Sequence, residues 1–227
     1  MSKSKEIKER LQKADKRFWA GDNISEILEE GDKDKLITEA TTAFESVLDA
    51  LVIDRHTDPN SKGTAKRLAK MYINEIMSGR YDPMPAATFP NDGENRYEGM
   101  LVVRSELTSM CSHHHQTVKG VAYIGIIAAE KLIGLSKYTR IAQWCSLRGT
   151  LQEELANDIA REIQNATGSE NVAVYIQATH GCVENRGILA HSSLTQTTVL
   201  KGAFKDDSGT KKEFMDNVKL QQEFAPR

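Results

Sequence analysis

The chain lacks the features that announce several large classes of protein. It holds only three cysteines in 227 residues, too few and too odd a number for a disulfide scaffold. It lacks an excess of charge: 30 Lys+Arg stand against 32 Asp+Glu, for a formal net charge of −2. No global pull towards nucleic acid or acidic lipid follows, so any anionic partner must be held by a local cluster. Long hydrophobic runs are missing too. The longest nearly apolar stretch, Val121 to Ala129, has nine residues, against the roughly 20 that a spanning helix needs. The opening segment MSKSKEIKERL is charged and has no apolar stretch of the signal-peptide kind. No internal repeat recurs at a fixed period. These absences predict a cytoplasmic protein with reduced thiols and no membrane or nucleic-acid partner. What is present is ordinary for a folded domain: 39 % hydrophobic and 27 % charged residues, in a length that suits one domain with an appendage.

Residues 1–35 carry nine basic and nine acidic side chains. Their apolar residues are sparse (Ile7, Leu11, then Phe18 and Trp19), which reads as a charged, exposed helical extension. Residues 36–98 form a helical region and a connection. Leu36, Ala40, Phe44, Val47 and Leu51 recur at helical steps. The turn cluster Asp58 to Gly63 follows, and a further helix starts at Thr64 as its expected cap. Pro83, Pro85 and Pro90 make residues 80–98 an extended link. From residue 99 to 227 the character changes. Met100–Val103, Val118–Ile127, Val172–Gln177 and Leu194–Leu200 read as strands. Ser136–Leu147, the stretch carrying Leu151, Leu155, Ile159 and Ile163, and a short segment near Glu213–Leu220 read as helices. Helices first, then strands with a helix pair between them, give an α+β class.

Chemistry-bearing residues collect in two short segments, Cys111-Ser112-His113-His114-His115 and His180-Gly181-Cys182. Thiolate and imidazole are preferred donors for zinc, a borderline-soft ion. The Cys-x-x-His step lets Cys111 and His114 close on one ion. If the strand from Val172 continues, His180 and Cys182 project from one face. Three protein ligands would leave a position for water, whose pKa a zinc ion lowers to about 7. A spare histidine beside it would shuttle protons. A closed, structural Cys2His2 site is the competing reading of the same spacing. The His-x-Glu and Pro-Cys-x-x-Cys signals of zinc nucleobase deaminases do not occur. The third thiol, Cys145, reads as an ordinary buried one.

Basic residues supply a second signal. Ser136 looks like the cap of a helix whose start would hold an anion, with Lys137 and Arg140 on one face. Arg186 follows the second cysteine segment, and Lys66, Arg67 and Lys70 begin the third helix. Each alone suits a solvated surface; beside a hydrolytic metal they suggest a phosphate-bearing substrate. A carboxylate of the Glu153-Glu154 pair, after Gln152, would accept from a guanine-type N–H edge or simply face solvent.

Taken together these segments resemble the GTP cyclohydrolase I family, whose subunits have the tunnelling (T-) fold. Thr64 to Tyr72 is similar to its Thr-Pro-x-Arg-x-Ala-Lys-Met-Tyr helix, and Cys111-Ser112-His113-His114 to its Cys-Glu-His-His. Ile133-Gly134-Leu135-Ser136-Lys137 with Arg140, then Gln152-Glu153, then His180-Gly181-Cys182 with Arg186-Gly187, follow in the family's order. The likeness runs from about Leu36 to Leu220, leaving residues 1–35 outside. It implies Cys111, His114 and Cys182 as zinc ligands and His113 and His180 as proton-handling imidazoles. It implies Gln152 and Glu153 as the guanine anchor, and Ser136, Lys137, Arg140, Arg186 and Arg67 as the triphosphate clasp. The implied reaction is hydrolytic opening of GTP at C8, with formate release and reclosure to 7,8-dihydroneopterin triphosphate. That is the entry to tetrahydrofolate, biopterin and deazaguanine routes. The implied assembly is a homodecamer of two pentameric rings with active sites between subunits.

The departures are specific. Ser112 replaces a glutamate, His115 an aromatic or apolar residue, Ala65 a proline, and Arg148-Gly149-Thr150 an Arg-Pro-Gln. Losing a carboxylate beside a histidine lowers that histidine's pKa. A nucleotide-binding T-fold protein with lost or altered turnover is therefore the alternative.

Overall fold

The computed structural model describes residues 2–85, 88–91 and 96–224. The chain divides into two compact units, Met1–Pro83 and Met84–Arg227, and each is described by itself.

The first unit is helical. Ser2 caps α1 (Lys3–Lys13) by accepting from the Lys5 N–H. Ile7 and Leu11, four residues apart, lie on one face, and both are buried with Ile24 against Ile27, Leu28, Leu36 and Tyr81. The other residues of α1 are exposed or half-buried, and Lys3 and Arg10 add ion pairs with Asp32 to this apolar contact. α2 (Asp32–Ala50) and α3 (Thr64–Met71) follow. α3 runs on through a π-helical turn, Tyr72–Ile76, towards α4 (Ser78–Tyr81). Ile37, Ala69 and Ile73 pack between them with Ala40 and Phe44. Thr64 is the first residue of α3 rather than its cap, which is Gly63 at φ +78°; the left-handed turn ending on glycine starts the helix without a side-chain cap.

The second unit holds a small antiparallel pair, β1 (Thr88–Pro90) with β4 (Lys131–Ile133). Residues 86–87 and 92–95 of the expected extended link lie outside the described residues. Its main sheet contains β2 (Met100–Met110), β3 (Thr117–Ile127), β5 (Val172–His180) and β6 (Thr195–Leu200), in that spatial order and antiparallel throughout. Alternation decides what each face covers. Ala122, Ile124, Ile126, Val174 and Ile176 point to α5 (Leu135–Ser146) and α6 (Gln152–Thr167), where Ile141, Ala142, Ile159 and Ile163 complete the core. Tyr123, Ala173 and Tyr175 point the other way, against Phe204 of α8 (Ala203–Asp206) and Phe214 and Val218 of α9 (Ser208–Glu223). A short α7 (Gly181–Glu184) follows β5 directly. The result is a mixed arrangement of helices and antiparallel sheet, as the α+β reading expects. Among the described residues the outer edges of β2 and β6 pair with no further strand, and no helix is long and apolar enough to cross a membrane.

Asp32 is the charged keystone of the first unit. It is 1 % exposed. Lys3 Nζ lies 3.2 Å from its Oδ1, the Glu29 N–H donates to its Oδ2 at 3.0 Å, and Arg10 also donates to Oδ2. Burial alone would push this carboxyl up; the Glu29 N–H, Arg10 and Lys3 outweigh it and hold the pKa below the usual range. A depressed folded-state pKa contributes stability that is complete above the unfolded value, about 3.9, and is lost as pH falls through the folded value. Asp32→Asn is therefore expected to lower stability by about 2 kcal/mol at pH 7, short of a fully buried pair because Arg10 and Lys3 still touch water. The deficit should shrink below about pH 4. Urea unfolding followed by circular dichroism at both pH values measures this, and an equal deficit at both would refute it.

Candidate active site

The sheet register gathers the two cysteine segments. Met110 pairs with Thr117, so β2 and β3 are joined by the turn 111–116. Within it the Cys111 N–H donates to the Gln116 carbonyl and the His115 N–H to the Cys111 carbonyl, both at 2.9 Å. His115 closes the turn at φ +51°, a left-handed conformation uncommon for a non-glycine residue. His113 and His114 are left exposed on the loop, ring centroids 6.3 Å apart and nearly perpendicular. One residue into β3, Val118 pairs with His180, the last residue of β5. Cys111, His180 and Cys182 therefore arrive at the same end of the sheet.

Cys182 does not share a strand face with His180 as expected. β5 stops at His180 and the chain turns into α7, which carries the thiol inwards. There it neighbours Cys111; burial and the neighbouring Cys111 push the Cys182 thiol up, while Arg186 pulls it down. Two facing sulfurs with an imidazole on the same turn have the donor chemistry of a zinc site. Among the described residues, however, no three His, Cys, Asp or Glu side chains are gathered into a metal-holding group; His114 stays at the surface. Cys145 is fully buried and its thiol is pushed up by that burial, so it is inert, as the sequence reading expects.

His180 is half-buried, and burial lowers its pKa against the opposing pull of Glu153 and Glu184. Its Nε2 lies 2.7 Å from Gln152 Oε1. Gln152 and Glu153 open α6 but differ in surroundings: Gln152 is buried and Glu153 exposed. Thr195 and Thr197, which hold the Gln152 amide, went unnoticed in the sequence. The only sequence signal for them is their place in a β-forming run.

The basic residues are dispersed. Arg186 is exposed just beyond α7, at the thiol end. Ser136, Lys137 and Arg140 lie in the first turns of α5, whose other end is tied to the thiol end by a 2.7 Å bond from Ser109 Oγ to the Ser146 carbonyl. Ten residues of helix put Ser136 roughly 15 Å from that end. Ser136 is the second residue of α5 rather than its cap; Gly134 occupies the cap position and makes no side-chain cap bond. Arg67 belongs to the first unit, where its guanidinium clasps the preceding turn through the Asn60 and Lys62 carbonyls, both at 3.1 Å, and Thr64 Oγ1 at 2.8 Å.

The family model for GTP cyclohydrolase I matches residues 40–219. The chain belongs to the GTP cyclohydrolase I family of enzymes. Among its curated relatives is the GTP cyclohydrolase 1 of Aeromonas salmonicida, 38 % identical over 179 residues, which are 77 % of this chain and 80 % of that protein. That of Flavobacterium johnsoniae is 39 % identical over 181 residues, 79 % and 80 % of the two chains. That of Yersinia pestis is 41 % identical over 165 residues, 72 % and 74 %.

In this family member, the β3–β5 register rests on a close approach at Gly120, opposite Ala178 and two residues from the Val118–His180 pair. A Cβ there would sit 2.2 Å from the Gln177 carbonyl oxygen and 2.5 Å from the Ala178 Cβ. Gly120→Ala is expected to push the strands apart and cost about 2 kcal/mol, in the range for overpacking. Thermal unfolding measures it; an unchanged midpoint would show that the strands absorb the methyl group.

Proposed function

We propose that the chain is a zinc-dependent GTP cyclohydrolase I that opens GTP at C8, releases formate and yields 7,8-dihydroneopterin triphosphate. The observation that supports it is the convergence of Cys111, Cys182 and His180 at one sheet end in a chain of this family. Cys111, His114 and Cys182 would hold the ion. When bound, zinc supplies the Lewis acidity that activates water for attack at neutral pH.

The chain's own side chains do the rest. The exposed Glu153 carboxylate accepts from the N–H edge of guanine and orients the base. His180, once charged by a proton taken from solvent, gives that proton to N7 as water adds at C8 and the imidazole ring opens. His113, exposed on the 111–116 turn, handles the proton of the attacking water. Ser136, Lys137, Arg140 and Arg186, with Arg67, neutralise the triphosphate. The start of α5 and the thiols stand at opposite ends of the sheet within one chain. This favours a pocket to which neighbouring copies contribute. The long outer edge of β2 favours the same, since an edge of 11 residues is a template for another strand. The assembly read from the resemblance, two facing pentameric rings, provides both. The compartment is the cytoplasm, where the free thiols stay reduced.

A second reading draws on Ser112 and on the surface position of His114: a purine or pterin nucleotide-binding protein without full turnover. Incubating the zinc-loaded protein with GTP separates the two. Formate and, after oxidation, pterin fluorescence carry the enzyme reading. A GTP-dependent rise in melting temperature with neither product carries the other. Under the enzyme reading Cys182→Ala is expected to lose zinc, measured by metal analysis, and full occupancy would remove Cys182 from the ligand set. His180→Ala is expected to keep zinc and lose formate release by about 100-fold or more; an unimpaired rate would remove His180 from the mechanism.

A further inference from the structure

The resemblance gives Gln152 to the guanine ring, but its amide is fully engaged within the chain. Gln152 is 4 % exposed. Its Nε2 group donates to the Thr195 carbonyl and to Thr197 Oγ1, both at 3.2 Å, and approaches the Ile176 carbonyl at 3.4 Å. Backbone carbonyls only accept, so the nitrogen end of the amide must face β5 and β6; a flip would set oxygen against oxygen. The oxygen end is therefore the one that meets His180 Nε2 at 2.7 Å. An amide oxygen only accepts, so the His180 Nε2 must carry the hydrogen. In a neutral imidazole one nitrogen is the donor and the other the acceptor, which leaves Nδ1 bare.

We propose that Gln152 is a positioning residue that locks neutral His180 as the Nε2–H tautomer, making Nδ1 the nitrogen that takes up a proton from solvent and then delivers it to substrate. The buried amide is the bridge: β6 and β5 hold its nitrogen end, and its oxygen end holds the imidazole at the tip of β5. Guanine recognition then falls to Glu153 alone of the pair, the residue that is exposed. The role in proton exchange rests on the cyclohydrolase reading; the tautomer does not.

The test uses the full zinc-loaded chain with 15N-labelled histidine, in wild type, Gln152→Met and, to assign the signal, His180→Ala. Long-range 15N–1H correlation in the wild type should show His180 protonated at Nε2 with Nδ1 bare. In Gln152→Met, of similar length but without the hydrogen bonds, the signal should shift towards a mixture of tautomers. For GTP turnover, kcat should fall about 10-fold, part of the 10²–10⁴ that a placed acid or base supplies, with KM within about twofold. A raised KM with unchanged kcat would return Gln152 to guanine binding and overturn the proposal. So would wild-type His180 protonated at Nδ1, a measurement that holds even where the Met variant fails to fold. Wild-type protein that makes no formate yet shows the Nε2–H tautomer refutes the cyclohydrolase reading and supports the positioning assignment.

Discussion

The antiparallel register of β2, β3 and β5 is the constraint on which everything at the candidate site depends. Met110 opposite Thr117 closes the turn that carries Cys111 and three histidines, and Val118 opposite His180 brings the second cysteine segment beside it. Side chains alternate along a strand, so a slip of one residue would exchange the faces of β5. Val174 and Ile176 would leave the helix pair for the side now occupied by Ala173 and Tyr175. The register that seals the core is thus the register that unites the thiols, and the chemistry inherits its precision from hydrophobic burial. Gly120, where the two backbones come too close for any side chain, is part of that register.

The two thiols and the imidazoles are held with different stiffness. Cys111 is bound into its turn by two backbone hydrogen bonds and buried beside Cys182. His180 is gripped through Gln152 by two strands. His113 and His114 sit on the solvent side of the same turn. A site built this way has a rigid sulfur and imidazole floor and an exposed histidine rim. Of the basic residues, Arg186 stands at the thiol end, while Ser136, Lys137 and Arg140 lie at the start of α5, a helix length away.

In the N-terminal unit a charged helix is held by both apolar contacts and ion pairs. Ile7 and Leu11 dock α1, and the buried carboxylate of Asp32 gathers Lys3 and Arg10 around the start of α2. Balanced charge, which by composition alone suggests a solvated arm, here includes ion pairs that face inwards. Charge counts do not distinguish the two; the difference is made by which residues lie opposite one another after folding.

Much of the candidate site was legible as a sequence because its information is local and chemical. Thiols and imidazoles at short spacings, an apolar period of four along α6, and alternation along β5 can all be read without knowing what packs on what. The ordered string of family-like motifs from Thr64 to Arg186 added the family, and the same odd count of three cysteines divides in the fold into one facing pair and one buried bystander. What tertiary structure alone decided is non-local. The turn of the chain into α7 at Gly181, the separation of the α5 start from the thiols, and the burial of α1 depend on contacts between distant segments. So does the orientation of the Gln152 amide, which is set by carbonyls of strands that begin 20 or more residues further along the chain, too far for any spacing rule to see.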